Sequence, residues 1–529
     1  MRPMSSVHAS AIRAGSALIL GEMGARTLCA PRARAPRGAA RVSSRPRMSG
    51  ATTTDAHTTG ARSGSPGDDE EDPLALFVLW SREEPSRVGE VALFPVSSGP
   101  RVIGRGGAGP GDAEERAVFL RQRPGASRPT PALAGAKLSR QQALVRPGLR
   151  SIEVARIGRC PMLFRGREVD ACSLIPGDVL SFHRELLLLC MRRPFALPAT
   201  ASRVDQGFPF GEADGSGIIG ESPAAWDLRE ELAFAAGRDL HVLVLGESGT
   251  GKELAAQAIH ALSRRRSAAM VARSAATFPP GIMDAELFGN VRDYPNPGMR
   301  ERKGLIGEAD GSTLFLDEIG ELPEDLQSHL LRVLDGGGQY HRLGEAVART
   351  SDLRFIGATN RSPDRLKHDL LARLTLRISL PGLNERLEDI PLLARHLLRT
   401  DVGRDRELSD RFFAGGEPRI AIELIEALVR HRFTHHVREL RGLLWRAISR
   451  SRGEIIELTP DVRDLLSNGR PPSSPAPAEL TPEIIQASMD RHSGVLERVW
   501  PELGLANRYA LARLLKKYGI KPRRAPAPE

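Results

Sequence analysis

The chain has 529 residues, 26% charged and 41% hydrophobic, with a formal net charge of +10. That length predicts several domains. Four cysteines (Cys29, Cys160, Cys172 and Cys190) with no CxxC spacing exclude a disulfide framework and a structural zinc site, and point to a reducing compartment. No run reaches 18 apolar residues, which excludes a transmembrane helix, and the stretch Ser16 to Leu20 is too short for a signal-peptide core. The basicity sits at the two ends. Residues 1–47 carry nine Arg and one Glu, residues 505–524 carry four Arg and three Lys with no acid, and the body between is slightly acidic.

Residues 1–75 are rich in Ala, Arg, Ser, Gly and Thr without an apolar period, and read as a disordered basic arm. Either this arm touches nucleic acid, or translation begins at Met48, where the composition changes. Residues 76–195 hold short apolar runs (Leu76–Trp80, Val91–Phe94, Ala143–Val145, Val179–Phe182) between Gly/Pro turns, the pattern of a β-sandwich. Residues 196–215 read as a polar linker. Over 216–383, apolar strands alternate with helical stretches, which predicts a parallel α/β sheet. Residues 384–468 read as helices only, and 469–480 as a Pro/Ser linker. Residues 481–524 form a small all-α unit with helices at Glu483–His492, Val495–Leu503 and Arg508–Tyr518, the last capped by Asn507. The chain is therefore multidomain.

The strongest motif is Gly246-Glu247-Ser248-Gly249-Thr250-Gly251-Lys252-Glu253. It stands between an apolar run, Leu240–Leu245, and a helical stretch, Leu254–Leu262. A strand, a Gly-rich loop and a helix N-terminus together form a phosphate cradle, with Lys252 reaching the β- and γ-phosphates of ATP. The position after Lys252 usually supplies a hydroxyl for Mg2+, and here it is Glu253. A second strand, Thr313–Leu316, ends in Asp317-Glu318. Asp317 is placed to hold Mg2+, and Glu318 to polarise the attacking water. A third strand, Leu353–Ala358, ends in Thr359-Asn360, where Asn360 could orient that water.

GESGTGKE, AELFG (Ala285–Gly289), ADGSTLFLDEIGELP (Ala309–Pro323), RFIGATN (Arg354–Asn360), LNERLEDIPLLA (Leu383–Ala394) and VRELRG (Val437–Gly442) follow in this order. Together they resemble the AAA+ module of bacterial enhancer-binding proteins, the sigma-54-dependent transcription activators. The resemblance implies a P-loop α/β domain (216–383) with a helical lid (384–468), assembly into a ring, and hydrolysis completed by an arginine from a neighbouring subunit. Arg438 matches the lid arginine of that family. Arg373 matches the second arginine of the finger region, and Lys367 stands at the first. An Asn that couples the catalytic Glu to the remodelling loop is replaced by Arg273. Before VREL, the usual P-G-N is Thr434-His435-His436. The sigma-contacting GAFTGA sequence is replaced, without change of spacing, by Asp293-Tyr294-Pro295-Asn296-Pro297-Gly298.

Residues 76–195 resemble a forkhead-associated (FHA) domain through Ile103-Gly104-Arg105, Leu138-Ser139-Arg140-Gln141-Gln142 and Leu174–Leu180. That resemblance makes Arg105, Ser139 and Arg140 a candidate phosphothreonine site. It also departs from the family, with Gln142 at the usual His and both usual Asn positions lost. LGLANRYALARLLKKYGI resembles a Fis-type helix-turn-helix, implying DNA contact by Asn507, Arg508, Arg513, Lys516 and Lys517. The combined expectation is a cytoplasmic, ATP-hydrolysing transcription regulator without a membrane partner, acting on RNA polymerase with sigma-54. A second reading is a DNA-bound scaffold that uses ATP for assembly, with no sigma-54 activation because the loop is replaced.

Overall fold

The computed structural model describes residues 72–106, 116–202, 204–279, 281–468 and 482–491, together with Val499, Leu503, Leu511, Leu515 and Tyr518. Residues 1–71, the linker 469–480 and the candidate DNA-binding residues Asn507, Arg508, Arg513, Lys516 and Lys517 lie outside the described residues. The first folded segment begins earlier than expected. Leu74 and Ala75, placed by sequence in the basic arm, are buried and pair with Arg192 and Met191.

The N-terminal unit is a two-sheet antiparallel sandwich. Its strands are β1 (Leu74–Ser81), β2 (Val91–Phe94), β3 (Arg101–Ile103), β4 (Leu120–Arg123), β5 (Ala126–Pro129), β6 (Ala143–Arg146), β7 (Ile152–Arg156), β8 (Met162–Phe164), β9 (Arg167–Glu168), β10 (Ala171–Leu174), β11 (Val179–Phe182) and β12 (Leu186–Arg192). One sheet has the order β5-β4-β2-β1-β12-β11-β8-β9, the other β10-β7-β6-β3. Side chains alternate across a strand. Leu74, Leu76 and Val78 of β1, with Leu186 and Leu188 of β12, fill the space between the sheets. Their neighbours Ala75, Phe77, Leu79, Leu187 and Leu189 point the other way and are also buried. A sheet covered on both faces explains the unbroken apolar runs LALFVLW and LLLLC.

The central unit is built from α1 (Pro223–Ala236), β13 (Val242–Leu245), α2 (Lys252–Ala261), β14 (Val271–Ser274), α3 (Met283–Phe288), α4 (Leu305–Glu308), β15 (Thr313–Asp317), α5 (Glu324–Leu334), β16 (Gln339–Tyr340), β17 (Arg349–Thr350), β18 (Arg354–Thr359), α6 (His368–Arg373) and β19 (Leu376–Ser379). Its main sheet is parallel, in the order β14-β15-β18-β13-β19. Leu314, Leu316 and Phe355 enter one apolar cluster, while Phe315, Ile356 and Ala358 enter the other, so both faces are covered as a parallel sheet requires. The lid follows as α7 (Ile390–Asp401), α8 (Arg406–Phe412), β20 (Phe413–Ala414), β21 (Glu417–Pro418), α9 (Ile422–Arg430), α10 (His436–Arg450) and α11 (Pro460–Asn468). The expectation of helices alone missed the β20–β21 hairpin. Gly415 and Gly416, at φ +59° and +83°, make its two-residue turn, a geometry that favours Gly-Gly. Beyond the lid lies α12 (Pro482–Arg491), where Ile485 and Met489 share a small buried cluster with Val499, Leu503, Leu511 and Leu515.

The sandwich and the lid are joined directly. The outward face of β1 and β12 enters the same apolar cluster as Leu383 and as Ile390, Leu392, Leu424 and Leu428 of the lid. Residues 196–215 have no regular element, as expected, yet they are not a loose linker. Arg123 of β4 donates to the carbonyls of Gln206 and Phe208 at 3.0 and 2.8 Å, stacks on the Phe208 ring, and pairs with Glu221 at 2.6 Å. Asp389 of the lid motif accepts from the backbone of Glu221 and Ser222 at 2.8 and 3.1 Å, and from the Ser222 hydroxyl at 2.5 Å. Satisfying a buried carboxylate in this way holds the segment in place.

Candidate nucleotide site

The phosphate loop Gly246–Gly251 joins the end of β13 to the start of α2, at the carboxyl edge of the parallel sheet. Gly249 and Gly251 adopt φ +83° and +100°, open to glycine at little cost. A Cβ on Gly249 would stand 2.1 Å from the His435 carbonyl of the lid, so glycine is also required by close approach. Thr250 donates its hydroxyl to the Glu247 carbonyl at 2.9 Å, which closes the loop. Lys252 is buried, and its Nζ donates to the carbonyls of Gly246 and Glu247 at 3.0 and 3.1 Å. Burial lowers the Lys252 pKa below the usual lysine value. Asp317 and Glu318 oppose that change, and Arg438 adds to it.

Asp317 ends β15 and accepts from the Glu318 backbone N–H at 2.8 Å. Glu318 itself sits at φ +53°, a left-handed conformation that is costly for a residue with a side chain and is found at functional turns. Its Oε2 accepts from the Ser274 hydroxyl at 2.8 Å. Ser274 is a site residue that the sequence motifs do not mark. It stands opposite Asp317 in the β14–β15 register, one residue beyond Arg273, and that adjacency is the only sequence signal for it. Arg273 itself is exposed and donates to the Ala272 carbonyl. Asn360 follows β18 at the same sheet edge and is exposed. A divalent ion bound by one or two carboxylates, phosphates and water fits the donor set of Asp317 and Glu318. Glu253 lies in the first turn of α2, where an acid suits the helix dipole, and accepts from Gln257 at 3.3 Å.

The lid reaches the loop at three points. Arg438 donates to the Ser248 hydroxyl at 3.1 Å, and the Val437 N–H to the Gly249 carbonyl at 3.1 Å. His436, buried and at φ +45°, lies 2.9 Å from Glu247 through Nε2. The Leu383 N–H donates to its Nδ1 at 3.2 Å, so Nδ1 is the acceptor and Nε2 carries the proton toward Glu247. His436 stands where the P-G-N triplet before VREL is expected, and that replacement is the only sequence signal for it. Arg373 is half exposed and pairs with Asp335 at 2.5 Å, while Lys367 donates to the Ser328 hydroxyl at 2.7 Å. An exposed pair of this kind holds its partners weakly.

The loop at 293–298 is exposed and closed by its own hydrogen bonds. Asp293 accepts from the Gly298 N–H at 2.8 Å, and buried Asn290 donates to the carbonyls of Val291, Tyr294 and Arg300. Far from the nucleotide site in sequence, Arg105, Ser139 and Arg140 meet at one edge of the sandwich. The Arg105 N–H donates to the Ser139 carbonyl at 2.9 Å, and the Arg105 Nε is buried without a partner. The Ser139 hydroxyl accepts from the Arg159 N–H at 2.9 Å, while Arg140 is exposed. Gln142, where the resemblance would place a histidine, is fully buried and bonds to Cys160 and Ser139, a bracing role.

Residues 218–380 match the family model described as the Sigma-54 interaction domain. The chain is 36% identical over 308 residues to the DNA-binding transcriptional regulator NtrC of Azospirillum brasilense, covering 56% of this chain and 60% of that one. It is 33% identical over 319 residues to the transcriptional regulatory protein ZraR of Salmonella typhimurium, covering 58% of this chain and 70% of that one. It is 37% identical over 278 residues to the formate hydrogenlyase transcriptional activator FhlA of Escherichia coli, covering 50% of this chain and 37% of that one. The chain belongs to the family of transcriptional regulators that carry a sigma-54 interaction domain.

Proposed function

We propose that this chain is an ATP-hydrolysing transcription regulator that works as a ring on RNA polymerase with sigma-54. The observation that carries this reading is the convergence of Lys252, Asp317, Glu318 and the lid residue Arg438 on one phosphate loop. In-line attack of water on the γ-phosphate needs charge neutralisation at the phosphates and a base at the water. Lys252 and Arg438 supply positive charge. Asp317 would hold Mg2+, which would neutralise charge on the phosphates, and Glu318 accepts the water proton while Asn360 orients that water. Arg373 serves the site of the adjacent subunit, stabilising charge on the transferring oxygens.

The N-terminal sandwich acts as an FHA-like sensor, with Arg105, Ser139 and Arg140 receiving a phosphothreonine. The C-terminal unit places the protein on DNA through Asn507, Arg508, Arg513, Lys516 and Lys517. The protein works in the cytoplasm, and among the described residues no helix is long and apolar enough to cross a membrane. The scaffold reading is not favoured. The relatives matched through this core are named as transcriptional regulators and activators, and the residues expected for hydrolysis are present.

Glu318→Gln tests the reading. Loss of a general base lowers kcat by about 10²–10⁴-fold, while nucleotide affinity should stay within a few fold. Sigma-54-dependent transcription in vitro should fall with it. Unchanged turnover in this variant overturns the assignment of Glu318.

A further inference from the structure

We propose that the anion site of the sandwich selects a phosphothreonine flanked by acidic residues, with arginine charge taking the place of contacts to the peptide backbone. The inference rests on the reading of Arg105, Ser139 and Arg140 as a phosphothreonine site, and it adds Arg116 and Arg159, which no motif marks. Arg116 donates through Nη1 to the Arg140 carbonyl at 3.1 Å. The Arg105 N–H donates to the Ser139 carbonyl at 2.9 Å. The Arg159 N–H donates to the Ser139 hydroxyl at 2.9 Å, which leaves that hydroxyl its own proton to donate to a ligand. Arg105, Arg116 and Arg159 are thus each tied to the dipeptide Ser139-Arg140. A Cβ on Gly104 would stand 2.1 Å from the Arg140 carbonyl, so the chain just past β3 runs hard against this dipeptide.

The positive charge is not balanced locally. Among the described residues, Arg105, Arg116, Arg140 and Arg159 form no ion pair. Acids of the neighbouring loops are engaged elsewhere. Glu185 lies 3.4 Å from Lys137, Glu168 and Asp170 pair with Arg156, and Glu84 pairs with Arg87 at 3.3 Å. Glu83 accepts from the Ala136 N–H at 3.0 Å. The Nε of Arg105 and the Nε of Arg116 are both buried without a partner. A buried donor left unpaired is costly, and an anion that reaches it removes that cost.

Side chains that could hold an extended peptide by neutral hydrogen bonds are turned away. Gln142 Oε1 accepts from the Ser139 and Cys160 N–H groups at 3.2 and 3.3 Å, and its Nε2 donates to the Cys160 carbonyl at 2.8 Å. Arg165, where the resemblance would place an Asn, pairs with Asp178 at 3.1 Å. Binding strength must then come from charge, and guanidinium groups pair with phosphate and carboxylate through two parallel hydrogen bonds. A phosphate takes Arg105 and the Ser139 hydroxyl, and carboxylates beside it take the remaining arginines. A phosphothreonine among neutral residues would leave Arg116 unmatched.

The full-length chain would be titrated with fluorescein-labelled peptides built around one threonine and followed by anisotropy. The threonine is phosphorylated between alanines, phosphorylated between aspartates, or unphosphorylated between aspartates. At low salt the aspartate-flanked phosphopeptide should bind at least tenfold more tightly than the alanine-flanked one, and the lead should shrink at high salt as exposed charges are screened. The double variant Arg116→Gln/Arg159→Gln should cut that lead to threefold or less. Arg159 is exposed, so Arg159→Gln alone carries the test should the double variant fail to fold, and it should narrow the lead at least twofold. Equal affinity for the two phosphopeptides, or a full lead in a folded variant, overturns the inference and leaves the phosphothreonine reading standing. Equal binding of the unphosphorylated aspartate peptide overturns both. Displacement of the aspartate-flanked phosphopeptide by an oligothymidylate of equal charge, at equal concentration, marks a nucleic-acid site and overturns the inference.

Discussion

Glu388 lies where the sandwich meets the lid, and replacing it by Gln should remove a pH dependence of stability. Its side chain is buried, with Oε1 3.7 Å from Nη1 of Arg193 and Oε2 without a partner. Burial, and then the adjacent Asp389 carboxylate, push Glu388 up to about 7, with Arg193 and Arg386 opposing. The ordinary glutamate value is 4.5. The folded state therefore binds the proton more tightly than the unfolded chain. This contribution to stability is fully present below the unfolded value and is lost as pH rises through the folded one. Between pH 5 and pH 8 the loss is on the order of 2–3 kcal/mol, since each tenfold gain in proton affinity is worth about 1.4 kcal/mol. Gln mimics the protonated acid, so Glu388→Gln should match the parent below about pH 4 and its advantage should grow by that amount between pH 5 and pH 8. Urea unfolding followed by tryptophan fluorescence measures the difference, since Trp80 and Trp226 both lie close to this junction. A parent-minus-variant difference that stays constant across the range, or that favours the parent at pH 8, refutes the reasoning.

The other expected outcomes concern the nucleotide site and the join. Ser274→Ala removes the hydroxyl that holds Glu318, and basal ATP turnover should rise by up to about fivefold, the worth of one hydrogen bond, with nucleotide affinity unchanged. Steady-state hydrolysis and a nucleotide titration check both halves. Arg438→Ala should weaken ATP binding by about tenfold, as expected for loss of a charge-assisted contact, and calorimetry reads it directly. Phe77→Ala empties a buried site in the cluster shared by sandwich and lid and should cost about 3–5 kcal/mol. Proteolysis should then quicken in the lid as well as in the sandwich, and protection of the lid at the parent level would count against a shared core.

Chemistry that must act through one short stretch of chain was legible in the sequence. A phosphate cradle needs consecutive backbone N–H groups, so Gly246–Lys252 announces itself, and an acid pair at a strand end does the same for Asp317 and Glu318. The contacts of Ser274 and His436 were not legible, because Ser274 belongs to no local chemical pattern and His436 was visible only as a departure from the P-G-N expected before VREL. Parallel register brings Ser274 opposite Asp317, and the fold of the lid sets His436 against Glu247. The join between sandwich and lid was hidden for a different reason. A sandwich strand with one wet face alternates apolar and polar residues, whereas β1 reads LALFVLWS and β12 LLLLCMR. Such runs require a cover on the outer face too, and the partner sheet of the sandwich cannot provide it. The cover is the lid, over Phe77, Leu79 and Leu187. A domain that shares its apolar face with the lid cannot swing freely on a tether, and the packed face and the Arg123 contacts to residues 206–221 are the physical connections between the sandwich and the rest of the chain. Any movement of the lid relative to the sandwich would, for the same reason, carry the sandwich along or expose its apolar outer face to water, at about 25 cal/mol for each Å² exposed.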